Sequence, residues 1–222
     1  RSPAAVILFS LAGMAGALGV LAAADGYWFA PAEAEKNPVR RAGRTGNLFL
    51  YLLRYLAANK SYLLNTAGLG AMACFLPWAL GAFPGWRPLP LGFGILSLNT
   101  PLCTLLSGDP ELEQAVRALP GQIRRFCLPY GLFLALVQSG LSGIYLASWQ
   151  ILLGGVRGGD VALAVLFALH SAALSVALEW RWAPRGWKTE SDLWHHPRKY
   201  LVPLWMLGLA ALLGFRGVDM GV

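Results

Sequence analysis

Charge is scarce in this chain. Only 13% of its 222 residues are Asp, Glu, Lys or Arg, against about a quarter in an ordinary soluble domain. That is too little to cover the surface of a water-soluble globule. Cysteine is scarce too. Cys74, Cys103 and Cys127 are an odd number with no C-x-x-C spacing, which argues against a disulfide framework and a zinc site. They read as small packing residues in or beside apolar runs. Glu190, Asp192, His195 and His196 match no standard ligand pattern, and adjacent histidines do not share a helix face. The catalytic signatures G-x-S-x-G and H-E-x-x-H are missing, as are a Gly-rich P-loop and any pair of acids within an apolar run. If ATP drives this protein, another chain or a part of the polypeptide outside this sequence must bind it.

Apolar sequence is what the chain has in abundance. Hydrophobic residues make up 56% and mean hydropathy is +0.52, which excludes a disordered, collagen-like or disulfide-stapled protein. Net charge is +7. The basic residues fall between long apolar runs instead of over a polar surface, so the balance points to a membrane and not to nucleic acid.

Six apolar runs stand out, at residues 3–24, 62–83, 89–106, 126–150, 161–182 and 201–215. A membrane span needs ~20 apolar residues, with a range of ~17–25. Five runs meet that, and the sixth does so only by continuing through Arg216 and Asp219. The expected fold is all-α: residues 1–222 as a single polytopic transmembrane domain of about six spans.

The basic residues alternate from side to side. Lys36, Arg40, Arg41, Arg44, Arg54 and Lys60 precede the second run. Arg117, Arg124 and Arg125 follow the third. Arg181, Arg185, Lys188, Arg198 and Lys199 lie around the connection to the sixth. The other side has only Arg1, Arg87, Arg157 and Arg216. The positive-inside rule puts the richer side in the cytoplasm and both chain ends outside. A signal peptide ending at Leu21-Ala22-Ala23-Ala24 would need the reverse arrangement. An outside start fits a chain preceded by further helices. The expected location is a bacterial cytoplasmic membrane, crossed several times.

Two connections on the basic side have helical character. Residues 45–61 are apolar but broken by Arg54 and Lys60, and they follow Arg40, Arg41 and Arg44. This suits a helix lying in the membrane interface with its cations at the anionic leaflet; the alternative is a helix packed on the bundle. In the second connection, Asp109 is an N-cap before Pro110, and Glu111 and Glu113 fall in the first turn. Leu112, Ala115, Val116 and Leu119 keep an i, i+3, i+4, i+7 spacing, and Pro120-Gly121 stops the helix. The result is a short amphipathic cytoplasmic helix over 109–119.

Polar residues within the runs are few. His170 is mid-run and a functional candidate; the alternative is a neutral imidazole bonded to a neighbouring helix. Glu179, near the cytoplasmic end, lies about 180° round the helix from it. Asn99-Thr100-Pro101 interrupts the third run, as a kink or a cavity lining. Gln138, Ser142 and Tyr145 share a helix face, either along a polar path or as ties between helices. Asn99, Gln138, Tyr145 and His170 form the candidate translocation path. Gly13, Gly16 and Gly19 suit close helix contact in the first run.

The order of parts resembles the permease subunits of bacterial ABC transporters of the ABC-2 exporter type. An interfacial helix leads to two spans joined by a short outside turn, then a capped cytoplasmic helix, two more spans and a further one. The strings SLNTPLCTLLSGDPELEQAVRALPGQIRRFCLPY and GWKTESDLWHHPRKY also look similar to permease-like proteins of Gram-positive bacteria. The resemblance covers roughly residues 40–215. It implies an exporter energised by a separate ATPase that carries ATP and Mg, with no cofactor in this chain. It also implies a second permease unit, in a homo- or heterodimer. Asp109, Glu111, Glu113, Arg117, Arg124 and Arg125 would then form the coupling element that docks on the ATPase. Two features depart from the family: its closing span with the re-entrant helices before it is not evident after residue 215, and a span here precedes the interfacial helix. The other readings are a membrane-embedded enzyme acting on lipid, built around His170 or Asn99, and an assembly subunit with no transport path.

Overall fold

The computed structural model describes residues 48–82, 88–98, 100–118, 123–181, 183 and 196–219. The 3–24 run, Arg40, Arg41, Arg44, Asn99 and the 184–195 connection lie outside these residues. Among the described residues the fold is all-helical. The helices are α1 (Leu48–Ala58), α2 (Lys60–Leu80), α3 (Leu89–Leu96), α4 (Thr100–Cys103), α5 (Leu105–Gly108), α6 (Pro110–Ala118), α7 (Leu128–Leu152), α8 (Gly158–Arg181) and α9 (Leu201–Asp219). A π-turn, Ile123–Cys127, leads straight into α7, and a 3-10 turn, Pro197–Tyr200, leads into α9.

Among the described residues, three segments are long and apolar enough to cross a membrane: Lys60–Leu80, Arg125–Leu152 and Gly158–Arg181. They match the second, fourth and fifth runs to within a few residues. The apolar part of α9, Leu201–Leu213, is shorter. Prolines stand where helices tolerate them. Pro90 and Pro129 occupy first turns, where the missing N–H has no partner to lose. Pro77 is the exception. It lies inside α2, whose last turn closes with the Gly81 N–H on the Pro77 carbonyl at 2.9 Å. Gly154 and Gly155, with φ of 74° and 76°, form the left-handed turn between α7 and α8, a conformation costly for any other residue.

The third run, expected as one span with an interruption, is three short helices. Turns at Ser97–Leu98 and Thr104 separate α3, α4 and α5. The Ser97 N–H donates to the Phe93 and Gly94 carbonyls at 3.2 and 3.3 Å, and its hydroxyl donates to the Gly94 carbonyl at 2.6 Å. Pro101 has no N–H to offer Ser97's carbonyl, so a regular helix cannot continue there. The broken segment still runs the depth of the bundle. At one end the Tyr145 hydroxyl donates to the Leu89 carbonyl at 3.1 Å, and at the other the Tyr130 hydroxyl donates to the Leu102 carbonyl at 2.5 Å. Tyr145 and Tyr130 are about 22 Å apart along α7, at 1.5 Å per residue.

Two apolar clusters fill the interior. One gathers Phe93, Tyr145, Trp149, Phe167 and Met206, near the α7–α8 turn. The other gathers Leu52, Leu102, Phe126, Tyr130 and Phe133, beside α6. Gly92 permits the closest approach in the first cluster: a Cβ there would stand 2.2 Å from the Tyr145 ring.

Candidate functional site: the corner where α6 meets α8

α6 is short and begins as its sequence dictates. Asp109 accepts the Leu112 N–H on Oδ1 at 3.0 Å, and its carbonyl takes the Glu113 N–H at 3.0 Å. This side-chain cap satisfies one of the donors a helix leaves free at its start. Leu112 and Val116 of the apolar stripe settle on the bundle, Val116 3% exposed, whereas Ala115, expected on that stripe, is exposed.

Glu113 and Arg117 of α6 turn inward more than a solvated connector requires. Glu113 is buried and accepts the Arg117 Nε–H at 2.8 Å. Arg117 Nη2 donates to the Trp180 carbonyl at 2.9 Å, and its guanidinium lies 4.8 Å from the centre of the Trp180 ring. That carbonyl belongs to the last turn of α8, where helix carbonyls lack intrahelical donors and the dipole favours a cation. One side chain therefore caps α8, stacks on it and ties it to α6.

The adjacent residue makes a second tie. Glu179 is completely buried, and its Oε1 accepts the Ser107 N–H at 2.5 Å. Ser107 stands in the single turn of α5, where backbone N–H groups also lack intrahelical acceptors. Residues 179–180 of α8 thus hold both the end of the broken segment and the helix after it.

α1 completes the corner. Leu52 is buried, and Phe49 meets Phe133 of α7 edge-on at 5.4 Å, while Arg54 stays exposed. The helix therefore packs on the bundle along one face and presents a cation on another, as both readings of 45–61 required in part. Burial raises the pKa of Tyr51 and of Tyr55, and the negative charge of Asp109 raises each further.

Of the expected docking residues, Asp109, Glu113 and Arg117 come together here as internal ties. Arg125 is exposed on the π-turn. Among the side chains described on α6, Gln114, Ala115 and Ala118 are exposed, which charge alone did not single out. Lys60 is exposed at the start of α2.

Of the expected path residues, Gln138 and Tyr145 face the interior. His170 does not join them. It lies on the outer surface and accepts the Trp205 Nε1–H on Nε2 at 3.0 Å, the hydrogen-bonded imidazole weighed as its alternative. Its place follows from the α8 stripe Ser171, Ser175 and Glu179, which is buried and leaves position 170 outside. No family model matches the chain, and neither a curated protein nor a solved structure does.

Proposed function

We propose that this chain is the membrane-spanning permease component of an ATP-driven transporter of the ABC-2 exporter kind, in a bacterial cytoplasmic membrane. The segments at 3–24, 60–80, 88–108, 125–152, 158–181 and 201–219 make six crossings, the third as a broken helix. α6 lies on the cytoplasmic side and docks on a separate ATPase that holds ATP and Mg. A second permease unit completes the transporter.

The observation that carries this reading is the double tie at residues 179 and 180 of α8. A helix that only linked two spans would need neither a buried carboxylate nor a stacked guanidinium to fix it. Fixed in this way, α6 cannot be displaced without moving the end of α8 and the broken segment together. A push from an ATPase would reach the one traverse whose breaks at Ser97–Leu98 and Thr104 let it bend. The exposed residues Gln114, Ala115 and Ala118 of α6 are offered for docking, with Arg54 and Lys60 at the anionic leaflet.

The test is a mild-detergent pull-down of the native protein with mass spectrometry of what is retained. A nucleotide-binding ATPase should copurify, and an Ala115→Arg, Ala118→Glu double variant should lose it while melting like the wild type. A preparation free of any ATPase counts against this reading and favours an assembly subunit. Turnover of lipid by the isolated chain favours an enzyme.

A further inference from the structure

We propose that the outer face of α8 around His170 is covered by residues 3–24 of the same chain, with the Ser10 hydroxyl accepting the His170 Nδ1–H. The 3–24 run lies outside the described residues, and its depth rests on the six-crossing topology proposed above. The ATPase plays no part in it.

His170 is a polar group in an apolar place. It stands at the middle of α8, Gly158–Arg181, with its side chain exposed. Leu166 and Leu169 on the same helix are exposed too, as are Leu204 and Trp205 of α9. Between the terminal turns of the three spanning segments, the other exposed residues described are Gly, Ala, Val, Leu, Ile or Trp. Ionisable residues within a span almost always face protein or a water-filled cavity. An outer face that carries one at this depth is therefore built to meet more than lipid.

The hydrogen bond to Trp205 fixes what that partner must supply. An indole N–H can only donate, and His170 Nε2 accepts it at 3.0 Å. In a neutral imidazole the proton is then on Nδ1. The bond to Trp205 is the one that His170 makes among the described residues, so Nδ1–H is a donor in search of an acceptor. Lipid does not provide one there. The hydrocarbon core is about 30 Å thick, which keeps lipid carbonyls about 15 Å from the midplane. A second copy of this face would not help either. It would bring another Nδ1–H, and its accepting nitrogen is already held by its own Trp205.

Residues 3–24 do bring an acceptor. Ser10 is the only polar side chain of that run. A helix serine can donate to the preceding turn and still accept on its oxygen. Ser10 is the eighth residue of its run, and His170 is the tenth of 161–182. Both runs enter from the outer side in the proposed topology, so the two residues differ in depth by about 3 Å at 1.5 Å per residue. The spacing also matches. Ser10, Gly13 and Ala17 repeat the intervals of His170, Ala173 and Ala177, and Ala173 and Ala177 are exposed. Parallel helices in this register meet through small residues, which lets their backbones approach closely.

The experiment uses the full chain in lipid nanodiscs, with Cys74, Cys103 and Cys127 changed to Ala and melting checked against the wild type. A Gly13→Cys, Ala173→Cys variant is reconstituted from a mixture of ordinary and heavy-isotope-labelled chains, oxidised, digested and read by mass spectrometry. The 13–173 disulfide should form within single chains. A Gly13→Cys, Leu136→Cys pair, directed at the exposed face of α7, should stay reduced. In ring-labelled protein, the His170 Nδ1–H resonance should move in Ser10→Ala and move less in Ser10→Thr, which keeps the hydroxyl. Ser10→Ala should lower the melting temperature of the wild type and leave that of His170→Leu unchanged. The proposal is overturned by the absence of a 13–173 disulfide within chains, which would leave the face to lipid. A disulfide formed only between labelled and unlabelled chains overturns it too, by seating a second copy there. So does a His170 Nδ1–H resonance indifferent to Ser10→Ala. None of these readouts involves nucleotide or a partner protein, so the pull-down above decides the transporter reading separately.

Discussion

Arg117 of α6 donates to the carbonyl of Trp180 at 2.9 Å and lies over that residue's ring at 4.8 Å, so one side chain binds the amphipathic helix to the end of α8. A guanidinium can do both because its donors lie in the plane that stacks. Arg117→Ala should destabilise the protein by about 1–2 kcal/mol, from a lost helix-end charge and a lost cation–π contact. Arg117→Lys should recover less than half, since it keeps the charge but not the fork or the stacking plane. Equilibrium unfolding in detergent, followed by tryptophan fluorescence, measures both. Equal stability of the lysine variant and the wild type would show that charge alone matters.

Glu179→Ala should cost more. It leaves the Ser107 N–H buried without an acceptor, a loss of about 1–3 kcal/mol. Glu179→Gln keeps an acceptor oxygen and should stand between the two. Hydrogen exchange at Ser107 is the specific readout, rising in the alanine variant before global unfolding.

Gly92→Ala should destabilise by about 1–3 kcal/mol, the usual range for overpacking, because its Cβ would fall 2.2 Å from the Tyr145 ring. In a Tyr145→Ala background the same change should cost far less. Additive effects in the double variant would contradict the close approach.

Alkaline titration tests the join between α1 and α6. Tyr51 and Tyr55 have pKa values above the ordinary 10.0, so the folded protein holds their protons more tightly than the unfolded chain. Their stabilising contribution is whole below that ordinary value and is lost as pH rises through the folded one. Burial is the larger cause and Asp109 the smaller. Asp109→Asn preserves an N-cap and should bring both values part of the way down. Chemical shifts of ring-labelled tyrosine report this, and no movement would place Asp109's charge elsewhere.

The sequence carried the regular parts of this fold because length and apolar content decide them. Lys60–Leu80, Arg125–Leu152 and Gly158–Arg181 fall almost where the runs do. The cap at Asp109 was legible because capping is local chemistry. Pro101 announced the interruption of the third run, although its extent, with a second turn at Thr104, depends on packing against α7 and α8. The candidate site was legible only in outline. Arg117 and Glu113 are charges on a short capped helix, and only the family resemblance implies an outside partner for them. That Trp180 would take the guanidinium, and Ser107 the carboxylate of Glu179, depends on contacts 63 and 72 residues apart in the chain, which no spacing rule reports. His170 was conspicuous for its charge type alone, and its outward place follows from the buried stripe beside it.

In the proposed transporter, α6 receives an ATPase on its outward face and passes the motion to α8. A photo-crosslinking amino acid placed in turn at positions 115, 118 and 170 of the native protein, in cells, tests it most directly. A crosslink to a nucleotide-binding ATPase is expected from 115 and 118 and none from 170. Crosslinks to lipid alone from 115 and 118, in a protein that still melts like the wild type, would contradict it.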